Sequence, residues 1–106
     1  MARALITLPP SAAQGSLIEV RCLIAHPMET GYRRDADGRL LPRNILRHFE
    51  CRFEGELVFA AELYPAIAAN PYLAFPLRAD ASGTLQFRWR GDDGFDQTET
   101  ARLNVS

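Results

Sequence analysis

Apolar and polar residues alternate with period 2 in stretch after stretch of this sequence, and that alternation constrains the fold more than any other feature. In SLIEVRCLIAH (residues 16–26), Ile18, Val20, Cys22 and Ile24 share one parity, while Glu19 and Arg21 take the other. In ILRHFECRFE (45–54), Phe49, Cys51 and Phe53 alternate with His48, Glu50, Arg52 and Glu54. In TLQFRWR (84–90), Leu85, Phe87 and Trp89 share a face. Successive side chains of an extended strand point to opposite faces, so this pattern belongs to half-buried β-strands. No stretch shows helical periodicity over a comparable length.

Extended along the chain, the pattern predicts strands over residues 3–8, 16–25, 45–54, 56–63, 72–79, 84–90 and 95–105. Leu57, Phe59, Ala61 and Leu63 are expected on one face of the fourth strand, and Ala101, Leu103 and Val105 inward in the last. Gly-, Pro- and Asp-rich turns such as DASG and GDDG separate these strands. The segment YPAIAANP (64–71) reads as a connector with one helical turn in its Ala-rich middle. Seven short strands joined by such turns predict an all-β protein, an immunoglobulin-like antiparallel β-sandwich. A chain of 106 residues reads as a single domain over residues 1–106, large enough to bury a core.

The charge balance excludes several partners. Net charge is −1, with no basic excess of the kind nucleic acid or a membrane surface attracts. The longest apolar run falls far short of the ~20 residues a membrane span needs. MARALITLPP lacks the extended apolar stretch of a secretory signal, so an exported protein would depend on something else to take it out.

Candidate chemistry is sparse. Ser, His and Asp are all present, but no serine sits in a GxSxG elbow, and no pair of carboxylates stands out. No enzyme is expected. His26, Met28, His48 and Cys51 are the ligand types of a blue-copper site. Cys51 lies mid-strand between phenylalanines, however, and nothing after it supplies a second histidine or a methionine. The reading adopted is a core thiol and two surface histidines, with no metal and no cofactor. The GDDG turn lacks EF-hand spacing and reads as an acidic hairpin tip. Cys22 and Cys51 share inward parities, so both are expected as free buried thiols, although a bridge across the core is conceivable.

The longest connection is HPMETGYRRDADGRLLPRN, residues 26–44. Loops beyond ~12–15 residues usually carry function or are disordered. From His26 to Arg47 this one holds Arg33, Arg34, Arg39, Arg43 and Arg47 against Glu29, Asp35 and Asp37, so it is locally basic. Arginine forks bind oxyanions and carboxylates bidentately. The competing reading is a small hairpin around DADGRL whose charges only keep it solvated.

The combination IAHPMETGYRRDADGRLLPRNIL, FECRFEGE, PAIAANPYLAF and SGTLQFRWRGDDG closely resembles the SoxZ family, over nearly the whole chain. That resemblance implies a non-catalytic immunoglobulin-like subunit. Its expected partner is a SoxY-like chain, a second sandwich whose glycine-flanked cysteine carries thiosulfate-derived sulfur on a C-terminal arm. The chain ends TARLNVS without such an arm, so it is expected to support the carrier. The implied setting is the periplasm, with export alongside a signal-bearing partner and transient contact with other enzymes of the pathway. His26, Pro27, Met28, Glu29, Arg33, Arg34, Arg39, Arg43, Asn70, Pro71 and Tyr72 are expected to carry partner recognition. The alternative is a generic immunoglobulin-like accessory or ligand-binding module. A glycan-binding module would expose aromatics, and only Tyr32, Tyr64, Tyr72 and Phe95 fall where exposure is expected.

Overall fold

The computed structural model describes residues 2–106, which contain seven strands and no helix. In chain order these are β1 (Ala4–Thr7), β2 (Ser16–Ile24), β3 (Leu46–Phe53), β4 (Glu56–Glu62), β5 (Tyr72–Ala79), β6 (Gly83–Gly91) and β7 (Asp96–Leu103). They pair into two antiparallel sheets, ordered β1-β2-β5 and β4-β3-β6-β7. This is the immunoglobulin-like sandwich that the alternation predicts, and its strands match the expected ones closely.

The inward parities meet as the sequence requires. Val20, Cys22 and Ile24 of β2 and Phe75 of β5 face Phe49, Cys51, Leu85, Phe87 and Trp89 of the other sheet. Phe49 is the hub, with ring centroids of Phe59, Phe75, Phe87 and Trp89 at 5.3–6.4 Å. Phe59 and Phe75 stack at 4.3 Å and join β4 to β5, the edge strands of the two sheets. Burying each such ring removes enough apolar area from water to contribute about 1.5–3 kcal/mol.

The turns carry their own reasons. Glu54 and Gly55 link β3 to β4 with φ of +48° and +85°. Two consecutive left-handed residues make the type I′ geometry that suits strand twist. At Gly91 the reason is space. A Cβ there would stand 2.5 Å from the Ile45 carbonyl oxygen and 2.9 Å from the Leu46 Cα, beside an irregularity in β3 between Leu46 and His48.

Four expectations need correction. Leu57 is 49% exposed, not inward, because the β3–β4 register shifts after Cys51 and places Leu57 opposite the outward-facing Arg52. Glu50 points outward yet is only 8% exposed, because Arg52 (2.8 Å) and Arg90 (3.7 Å) lie over its carboxylate. A carboxylate this enclosed needs such partners, since burying an unpaired charge is very costly. The connector 64–71 forms no helix; its Ala-rich middle holds a turn in which the Ile67 amide donates to the Tyr64 carbonyl. Phe95 is half-buried and packs against the core.

Candidate functional site

Antiparallel pairing decides which loops meet. Because Leu23 lies opposite Tyr72, His48 opposite Glu62 and Leu46 opposite Gly91, the β2–β3, β4–β5 and β6–β7 connections all emerge at one end of the sandwich. Strands of nine residues span only about 30 Å. The domain is 57 Å long, and turns and projecting loops make up the rest.

The long loop is an ordered excursion. Glu29 and Asn44 exchange both backbone hydrogen bonds at 2.7 Å, and further out the Leu41 amide donates to the Arg33 carbonyl. At the tip the Asp35 carboxylate accepts from the Asp37 and Arg39 amides and closes the turn. The hairpin around DADGRL is therefore real. Its arginines are also committed in part. Arg33 pairs with Glu29, Arg34 donates to the Gly38 carbonyl, and Arg43 pairs with Asp92 at 2.8 Å. Hydrogen bonding from Arg33 holds the Glu29 carboxyl below its ordinary range. Asp92 and Asp93 arrive from the β6–β7 turn, so the basic character expected of the loop is largely balanced. Arg39 and Arg47 make no ion pair among the described residues.

The structure brings His26 and Asn70 together and buries several residues expected at the surface. His26 is 3% exposed and Met28 5%, and Pro71 is buried beside them. The reading of His26 as a surface histidine is overturned. Its ring packs edge-on against Phe95 at 5.2 Å, and its Nδ1 accepts a hydrogen bond from the Met28 amide at 3.1 Å. The His26 amide donates to Asn70 Oδ1 (3.0 Å), and the Asn70 amide donates back to the His26 carbonyl (2.7 Å). Met28 Sδ accepts from the Leu46 amide. These residues build the loop from beneath. Pro27, Glu29, Arg43 and Asn44 instead line a cleft of about 550 Å³ with Leu41, Pro42 and Asp93. Arg33, Arg34, Arg39 and Tyr72 are exposed.

The two outer sheet faces differ sharply. On β3, β6 and β7 the outward positions are polar, with a cleft lined by Glu50, Arg52, Gln86, Arg88, Asp96 and Thr98. Arg88 and Asp96 pair across it at 2.7 Å. On the three-stranded sheet the outward positions are mainly apolar. Leu5, Leu23 and Tyr72 form one cross-strand row, with Ala74, Pro76 and Leu17 along the same face. Leu17 is 75% exposed, Leu5 64% and Tyr72 55%. One ion pair, Arg21–Glu19, crosses this surface. The face was not singled out in the sequence. Its signal lies in the outward parity of 72–79, where Tyr72, Ala74 and Pro76 precede a single charge, Arg78.

Neither thiol is placed for nucleophilic work. Cys22 and Cys51 are free and buried, and desolvation pushes both up to about 12. A thiol must ionise to attack, and these stay protonated at neutral pH. Among the described residues, no group of three or more His, Cys, Asp or Glu side chains is arranged to hold a metal ion.

Comparison with known proteins follows the same lines. Residues 6–102 match the family described as SoxZ, sulphur oxidation protein SoxZ. No curated protein sequence matches the chain. Among solved structures, the sulfur carrier protein SoxY from Chlorobium limicola f. thiosulfatophilum is 13% identical with a TM-score of 0.69. That match covers 97% of this chain and 78% of the other. Superoxide reductase (neelaredoxin) from Ignicoccus hospitalis is 18% identical with a TM-score of 0.75, covering 99% and 82%. At these identities the likeness is one of fold.

Proposed function

This chain belongs to the SoxZ family of sulphur oxidation proteins, and from that premise we propose that it is the non-catalytic partner subunit of a sulfur carrier. In this reading a SoxY-like chain carries thiosulfate-derived sulfur on the cysteine of its C-terminal arm. The present chain supports that partner as a heterodimer, in the periplasm, where the two are exported together and other enzymes of the pathway make transient contact.

The observation that carries the proposal is the apolar outer face of the three-stranded sheet. Monomeric proteins rarely leave contiguous apolar surface uncovered, and a stable subunit interface resembles a core cut in half. The row Leu5–Leu23–Tyr72, extended along β5 by Ala74 and Pro76, is a surface of this kind; Leu17 stands apart from it, beyond Arg21 and Glu19. A second sandwich, the fold this chain shares with SoxY of Chlorobium, offers sheet surface for it to pack against. The thiols argue in the same direction: both are protonated and enclosed, so they suit packing and not sulfur transfer.

Recognition by the pathway enzymes is assigned to the loop end, where Arg34 and Arg39 stand exposed on the hairpin and the cleft beside Arg43, Pro42 and Leu41 opens to solvent. Loops on a rigid scaffold commonly carry such contacts. The test is to mix the purified protein with a SoxY-like chain from the same source. The proposal expects one 1:1 species that elutes ahead of either chain alone. Two unshifted peaks at concentrations well above micromolar would refute it.

A further inference from the structure

We propose that His26 is an acid-operated latch: its neutral ring fastens the Met28 amide of the 26–44 loop, and protonation releases the loop there while the backbone bonds between His26 and Asn70 of the β4–β5 connector persist. The inference goes beyond the sulfur-carrier reading and does not depend on it.

The argument starts from the ring's two nitrogens. Nδ1 accepts the Met28 amide hydrogen bond, so it must present a lone pair. The single proton of the neutral ring therefore sits on Nε2. That atom is buried without another hydrogen-bond partner, and so is Oδ1 of nearby Asn44. A donor and an acceptor are thus left to serve one another on the loop's two legs. Protonation changes this. An imidazolium carries N–H on both nitrogens, and the new Nδ1 proton would point at the Met28 N–H. Two donors cannot share one hydrogen bond, so the charged ring must give up Met28 or leave its pocket.

What surrounds the ring decides how readily it charges. Charged groups on the elements packed about it are Asp92 and Asp93 on the β6–β7 turn, Glu29, Arg33 and Arg43 on the loop, Arg47 on β3, and Arg3 ahead of β1. Asp92 is engaged by Arg43 and by the Ile45 amide, and Glu29 by Arg33. Phe95 gives the ring an apolar neighbour, and Asn70 contributes only uncharged groups. Burial lowers the His26 pKa from its ordinary value, outweighing the opposing pull of Asn44 and Asp92.

The backbone stands ready to move. Met28 holds φ of +49°, a conformation that a residue of its kind adopts only when hydrogen bonds from its surroundings impose it, whereas Asn70, at +53°, belongs to a residue type that tolerates it. His26 supplies those bonds to both, at Nδ1 for Met28 and through its backbone for Asn70. Losing the Met28 bond frees one strained residue while the Asn70 bonds persist. Opening is therefore expected on the loop side only.

The test uses the intact protein labelled with ¹⁵N. Long-range ¹⁵N–¹H spectra at neutral pH should show His26 protonated on Nε2 and bare on Nδ1. Amide exchange is then followed from about pH 7.5 to pH 5, the range in which histidine switches charge. After correction for intrinsic rates, opening at Met28 should rise by up to about tenfold per pH unit below about 6.5, until the closed-state ring itself titrates. The amides of Val20 and Phe87 should show a smaller rise. In His26→Asn, an Oδ1 that cannot titrate can still accept from Met28, and the rise should vanish; in His48→Gln it should persist. A proton on Nδ1 at neutral pH, Met28 protection that tracks the core, or loss of the effect in His48→Gln would overturn the proposal. If His26→Asn does not fold, the wild-type tautomer and exchange profile decide the matter alone.

Discussion

Leu5 and Tyr72 lie at the two ends of the cross-strand row on the three-stranded sheet, and truncating both to alanine should weaken partner binding without unfolding the chain. The magnitude follows from exposure. Full burial of a side chain this size contributes about 1.5–3 kcal/mol. Leu5 is 64% exposed and Tyr72 55%, so a partner covering them gains roughly half to two-thirds of that at each. Alanine keeps a Cβ, which leaves about 1–3 kcal/mol for the pair, a loss of about 5- to 150-fold in affinity. The side chains point away from the core, so the isolated domain should change by no more than about ±0.5 kcal/mol. Calorimetric titration with the SoxY-like chain reads the first quantity, and thermal melting of the variant alone reads the second. Thr98→Ala on the opposite, polar face is the control and should alter affinity by less than about threefold, a surface effect. If Leu5→Ala/Tyr72→Ala binds like the wild type, the apolar face is not the interface. If instead the variant melts far below it, the row belongs to the fold.

Further outcomes follow from the same geometry. Arg33→Ala with Arg34→Ala should leave heterodimer affinity intact and change stability by about 0.5 kcal/mol or less, because exposed ion pairs contribute little. It should slow turnover of carrier-bound sulfur and flatten its dependence on salt, as loss of a steering charge does; unchanged kinetics at every ionic strength would make these arginines solvating charges only. Gly91→Ala should cost about 1–3 kcal/mol of unfolding free energy in urea, since its methyl meets the Ile45 carbonyl and Leu46 Cα. A variant as stable as the parent would show that this crossing is looser than 2.5 Å implies. Cys22 and Cys51 should react with a thiol reagent only after denaturation, with no reductant added, because both are buried and protonated. Failure to titrate any thiol in the unfolded protein would mean that the pair is oxidised.

How much of this was legible in the sequence depends on the range of the cause. Strand identity and the inward faces of Cys22, Cys51, Phe49 and Trp89 were readable, because side-chain alternation is local and the core consumes it directly. Leu57 escaped because a register shift in β4 reverses parity, and nothing in ELVFAAEL marks where the extra residue falls. Glu50 escaped because its cover, Arg52 and Arg90, comes partly from a strand forty residues away. At the loop, nothing in the sequence joins the HPMET start to Asn70; their hydrogen bonds follow from antiparallel pairing that brings both connections to one end of the sandwich. Asp92 was read only as a hairpin tip, so its neutralisation of Arg43 was missed. His26 was read as a surface residue because a lone histidine at a strand end carries no mark of burial. Only the tertiary contact with Phe95 supplies one.

The division of labour between the two chains can be measured directly by intact-mass spectrometry of the heterodimer during thiosulfate turnover. The account predicts sulfur-bearing mass increments on the partner's arm cysteine and an unchanged mass for this chain, whose thiols are enclosed and pushed up to about 12. A sulfur adduct on Cys22 or Cys51, appearing and disappearing at the rate of turnover, would contradict it.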